Sequence, residues 1–277
     1  MKHLLLILTT GFLSCTGGET ELPNAVPSSA NCVGLFGAPN ERSGFAQDAC
    51  SIQCACQDQT QTSQLFDAES EVFTARHLNP LPMIAQDPYA SERHNGGLSL
   101  GDDLVCAITL DDDRQSYELH TVLRSEVSVD TVTHTGPCGA CSSLQDLQVY
   151  ARQTDLTDPV RNCGIMGISS GQEANLECLK AIGFSSECAA IWYFNTLNTR
   201  TVCLDVCLAN LNAPYVDEMG QLNPCLKCDE QESGPIFKQI SGRTRRNSTI
   251  PSAICRPCDS VSRLNHVYLK PALSPTD

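Results

Sequence analysis

Residues 104–152 read LVCAITLDDDRQSYELHTVLRSEVSVDTVTHTGPCGACSSLQDLQVYAR. Leu104 to Leu110 is a short apolar run closed by Asp111, Asp112 and Asp113, which predicts a strand and then a turn. Tyr117 to Leu123 and Val127 to Thr133 predict two further strands. Ser142 and Ser143 then precede a segment in which Leu144, Leu147 and Tyr150 or Ala151 share one helical face, so a Ser-capped helix starts near 143. Downstream the helical period continues. Residues 171–183 place Ala174, Cys178 and Ile182 four apart and stop at Gly183, Cys188 to about Asn210 forms a third helical stretch, and Ser233-Gly234-Pro235 opens a fourth running toward Arg246. The expectation is a disulfide-rich α+β body over 101–277, with short strands at about 104–134 followed by several helices at about 143–250.

Upstream, 32–100 holds Cys32, Cys50, Cys54 and Cys56 and predicts a small cysteine-stapled N-terminal segment, with one short helix around Ala68 to Arg76. The stretch 15–31 is small, polar and Pro-containing, as suits a flexible linker. Residues 1–14 carry Lys2 and a ten-residue apolar run from Leu4 to Leu13, a signal peptide too short to be a membrane span. Ending at Cys15, it resembles a bacterial lipoprotein signal, although Phe12 stands where that family usually has Leu. The resemblance implies a chain exported and lipid-anchored through Cys15 on the bacterial cell envelope, at the outer membrane or periplasmic side.

The chain holds 17 cysteines in 277 residues, and without Cys15 an even number remains. In an exported chain that reads as a disulfide framework. Cys203 and Cys207 lie i,i+4 on a helix, about 6 Å apart at Cβ, and so staple that face to two other cysteines; Cys163, Cys178 and Cys188 are the nearest candidates. With 18 Lys and Arg against 32 Asp and Glu the net charge is −14, which argues against nucleic acid as a partner.

Three constellations suit chemistry. His134, Cys138 and Cys141 fall between a predicted strand and a helix start, where dipole and free N–H groups stabilise a thiolate and a histidine can serve as base. Strand, CxxC and helix resembles the thioredoxin-like oxidoreductases over about 20 residues, implying thiol–disulfide exchange; the motif here lies deep in the chain, among many other cysteines. Cys225, Cys228, Cys255 and Cys258 form two CxxC knuckles able to close a tetrahedral zinc site, although disulfides are the favoured state in an oxidising compartment, and no cofactor is favoured. Residues 234–258 carry Lys238, Arg243, Arg245, Arg246 and Arg256 and no acid. With Arg243 and Arg246 at i,i+3 on a helix, Arg243, Arg245 and Arg246 would grip a small anionic ligand or an acidic patch on a protein partner. The functional expectation is a cell-envelope binding or structural module with an anion-binding Arg segment. The alternatives are a thiol-dependent enzyme and a zinc-binding protein.

Overall fold

A computed structural model describes residue 42, residues 71–90, 103–217, 221–250 and 252–254, and 261, 262, 264 and 266–269. Cys15, the 15–31 linker and Cys32, Cys50, Cys54, Cys56, Cys255 and Cys258 lie outside the described residues.

A four-stranded sheet has the order β1-β3-β2-β4, with β1 at Arg76–His77, β2 at Leu104–Leu110, β3 at Ser116–Leu123 and β4 at Val132–Thr135. β2 and β3 run antiparallel with Leu104 opposite Leu123 and Leu110 opposite Tyr117, joined by the turn read from the three aspartates. Asp111 accepts the Ser116 N–H and Asp113 accepts that of Gln115, so these carboxylates are occupied by the turn itself. The third strand begins later than its apolar residues suggest. Ser128 accepts the Asp130 N–H and its carbonyl takes the Thr131 hydroxyl, which coils Val129–Thr131 into a 3₁₀ turn and leaves only Val132–Thr135 extended. Near Ala68 to Arg76 the described residues show a 3₁₀ turn, Glu71–Thr74, followed by β1.

Five helices follow: α1 at Leu144–Arg152, α2 at Thr157–Ile182, α3 at Ser186–Ala209, α4 at Pro224–Glu232 and α5 at Gly234–Ser241. Ser143 caps α1 as its sequence indicates, accepting the Asp146 N–H. α2 is two arms rather than one rod. Gly171 has φ 87° and ψ 179°, a conformation essentially reserved for glycine, and breaks the helix between 157–170 and 172–182. Cys163 and Cys178 join the two arms. α4 begins at Asn223, which accepts the Leu226 N–H, with Pro224 in the first turn. α5 ends at Gly242, φ 70°, so the fourth predicted helix stops short of the arginines.

Cys106, Ile108, Tyr117 and Leu119 of the sheet pack with Leu144, Leu147, Leu179 and Ile191 of the helices in one core, and Val105, Val132 and Leu264 form a small second cluster. Five disulfides tie these elements together: Cys106–Cys138, Cys141–Cys188, Cys163–Cys178, Cys203–Cys228 and Cys207–Cys225. α3 is stapled through Cys203 and Cys207, but to Cys228 and Cys225 of α4 rather than to Cys163, Cys178 or Cys188.

Candidate functional site: an apolar cleft bounded by four helices

The described residues of the three predicted constellations serve as scaffold. Cys138 and Cys141 do not bond to each other; Cys138 bonds to Cys106 of β2 and Cys141 to Cys188 in the first turn of α3. The loop between them lies against the end of α5, where Ala140 donates to Ile240 and Cys141 to Ser241, each at 2.8 Å. Gly139 and Gly242 meet there so closely that a Cβ on Gly139 would sit 2.4 Å from the Gly242 nitrogen. The CxxC spacing therefore serves a backbone-to-backbone seam. His134 is fully buried. Its Nδ1–H donates to the Thr135 carbonyl and its Nε2 accepts from the Ser142 hydroxyl at 2.7 Å, a neutral tautomer with neither nitrogen spare. Burial, with the charge of Arg243 beside it, holds its pKa well below the usual histidine value.

Cys225 and Cys228 are likewise in disulfides, to α3, and so are not zinc ligands in this state. No cluster of three or more metal-binding side chains occurs among the described residues.

The arginines also turn inward. Arg243 is 0% exposed and donates to the carbonyls of Cys141, Thr133 and Ser142 and to the Ser248 hydroxyl, pinning the loop, β4 and the 246–248 turn to one guanidinium. Arg245 lies over the Tyr150 ring and donates to the carbonyls of Tyr150 and Gln153, closing the C-terminal end of α1. Arg246 shares Glu230 with Lys238 at 3.1 Å each. The i,i+3 helical geometry expected for Arg243 and Arg246 is absent, because Gly242 ends α5 before them.

What sequence reading missed is a cleft of about 510 Å³. α3 supplies the floor through Thr196, Arg200, Leu204 and Leu208, four residues apart and so on one helical stripe. The first arm of α2 forms one wall with Val160, Gly164, Ile165 and Ile168, while Leu226 of α4 and Phe237 of α5 stand in the other. Trp192 and Tyr150 close the inner end, joined by a Trp192 Nε1–H to Tyr150 oxygen bond of 3.2 Å. Gly164 faces Thr196 across the cleft, where a Cβ would make ordinary contact at 3.7 Å. Ile165, Ile168, Leu204 and Leu208 remain 45–62% exposed, a contiguous run of aliphatic surface. The two α3–α4 disulfides fix floor to wall, and Cys163–Cys178 fixes the opposite wall to the second arm of α2. The sequence signal was the apolar outward faces of these helices: Ile165 and Ile168 at i,i+3, and Leu204 and Leu208 at i,i+4.

No curated protein and no solved structure matches this chain. A family model described as "Family of unknown function (DUF8771)" matches residues 172–264, about a third of the chain. The matched stretch holds the second arm of α2, all of α3, α4 and α5, and the arginines. It therefore contains the cleft floor and one wall, and leaves out the sheet, α1 and the other wall.

Proposed function

We propose that this chain is an exported, lipid-anchored binding module of the bacterial cell envelope, and that the cleft between α2 and α4–α5 is its binding site. One observation carries the binding half: a cleft of about 510 Å³, within the range of small-molecule sites, has a mainly apolar lining surface and is braced by three disulfides. The address rests on Lys2, the apolar run to Leu13 and Cys15, followed by a polar linker that would hold the body off the membrane. Paired cysteines suit an oxidising compartment, and among the described residues no helix is long and apolar enough to cross a membrane. The ligand contacts in this reading come from the cleft wall. Of the three arginines first expected to bind an anion, Arg245 and Arg246 line the cleft and Arg243 braces the loop behind it.

The test is expression of the full chain in a bacterial host fed radiolabelled palmitate, with a solvatochromic apolar dye titrated into the purified protein. The expected result is label in the membrane fraction that Cys15→Ser abolishes, and saturable dye binding that Leu208→Glu abolishes. An unlabelled, freely secreted product would overturn the anchor. Dye binding unchanged by Leu208→Glu would overturn the cleft as the site.

A further inference from the structure

Three features of the cleft point to the chemistry of its ligand. The first is charge. Five Arg and Lys line it against three Asp and Glu, a cationic lining in a chain of net charge −14. The three acids are already engaged. Asp155 accepts the Tyr215 hydroxyl at 2.6 Å, Asp229 accepts from Asn195 and Thr199, and Glu230 accepts from both Lys238 and Arg246. Two cations on one carboxylate leave a positive excess. Arg161 pairs with Asp158. Arg200 forms no ion pair with any described residue.

The second is position. Arg200 stands on the floor stripe between Thr196 on one side and Leu204 and Leu208 on the other. It stands at the border of the aliphatic outer half formed with Ile165 and Ile168. The third is an unpartnered amide. Asn175, on the second arm of α2, is 2% exposed and lines the cleft, and its Oδ1 has no hydrogen-bond partner among the described residues. A buried acceptor left unpaired costs about 1–3 kcal/mol, which a ligand N–H or O–H would recover.

We infer that the cleft holds a single-chain anionic amphiphile. Its hydrocarbon lies along Ile165, Ile168, Leu204 and Leu208, its anionic head meets Arg200, and a hydrogen-bond donor near the head is accepted by Asn175. At about 30 Å³ for a group the size of a water molecule, the volume admits a chain of roughly a dozen carbons with its head. This inference rests on the cleft being the binding site, and the test keeps the two apart.

The probes share one twelve-carbon chain: 3-hydroxydodecanoate, dodecanoate, dodecyl phosphate, dodecanol and dodecyltrimethylammonium. Each is titrated below its aggregation concentration against the full-length protein, with binding read by calorimetry and by displacement of the apolar dye. All three anions should bind at least about tenfold more tightly than dodecanol, and the ammonium more weakly than dodecanol. Comparing carboxylate with phosphate shows whether a free acid or a phosphorylated lipid is the better source of the head. The hydroxy acid should exceed dodecanoate severalfold. Arg200→Gln should bring the anions to the level of dodecanol without moving dodecanol, whereas Lys180→Gln, at a cation outside the cleft that is paired with Glu177, should change little. Asn175→Leu should erase the advantage of the hydroxy acid only. Since Asn175 is buried, each variant is first checked for wild-type helical signal and an unchanged count of protected thiols. A variant failing that check is replaced by Asn175→Asp, which keeps the shape and should weaken every anion through like charge. Probes that bind without regard to head charge, or an ammonium that binds best, would overturn this inference and leave the cleft as a site. Failure of every probe and of the dye would overturn both.

Discussion

Among individual residues, the buried ionisable groups set how the protein responds to acid. His134 and His266 are both buried and neutral. Nε2–H of His266 donates to the Ser248 carbonyl and its Nδ1 accepts the Tyr268 hydroxyl, and burial lowers its pKa to about 4. A histidine with a lowered folded pKa stabilises the fold above its unfolded value, near 6.5, and that contribution is lost as pH falls toward the folded value. Asp146 acts in the opposite sense. It accepts from Ser143 and from both the N–H and hydroxyl of Ser185, linking the starts of α1 and α3, and burial pushes it up to about 6. Between about pH 6 and its ordinary value of 3.8 the folded state takes up a proton that the unfolded state does not, so this group adds stability on acidification. Asp146 and His266 each amount to about 3 kcal/mol over their ranges and nearly cancel, leaving His134 to tip the balance toward loss in acid. Denaturant melts at pH 7 and pH 4 should show a modest loss of stability for the native chain. Asp146→Asn removes the opposing contribution, so its loss should be larger by about 3 kcal/mol. Parallel pH profiles for the two proteins would refute this assignment.

For the elements, the bend of α2 hangs on one glycine. A Cβ at Gly171 would meet nothing within 4 Å, so Gly171→Ala should lower stability by about 1–3 kcal/mol through backbone conformation alone. Ser170→Ala, beside it on the exposed tip, should be nearly neutral. Chemical denaturation of the two variants checks this, and equal midpoints would mean the helix does not turn there. The same stretch shows where sequence reading stopped. The arm 172–182 was legible from Ala174, Cys178 and Ile182. The arm 157–170 was not, because Gly164 and Gly167 read as helix breakers when taken alone. Packing supplies the reason for Gly167: a Cβ there would lie 2.9 Å from the Asn175 amide nitrogen. α4 carried a plain start signal in Asn223-Pro224, which the metal-knuckle reading of Cys225 and Cys228 obscured. β2, β3 and the caps at Ser143 and Ser185 use local rules, and of these the strands and the Ser143 cap were read directly. Disulfide pairing and the inward turn of Arg243 depend on contacts 15 or more residues apart, and no local pattern encodes them.

At the scale of the whole molecule, covalent bracing bears much of the fold. The five bridges among the described residues, at about 2–4 kcal/mol each, match or exceed the roughly 5–15 kcal/mol of a typical native domain. Full reduction in strong dithiol should therefore abolish most of the helical circular-dichroism signal, and reoxidation should restore it. Retention of that signal after complete alkylation would show that the core suffices alone. Cys106, Cys141, Cys163 and Cys188 are 0% exposed, so mild reduction suited to thiol-exchange catalysts should leave their bridges untouched.

The elbow of α2 has one more consequence. Residues 168–173 form an exposed tip, the kind of place where a protease first cuts a folded chain. A cut there falls between Cys163 and Cys178, inside the loop that their bridge closes. Both ends would stay where they were, 163 bonded to 178, and the cleft wall would keep its position. Nicked protein should run as one band without reductant and as two with it. In a compartment rich in proteases, this molecule can lose a peptide bond at its most exposed corner and keep its shape.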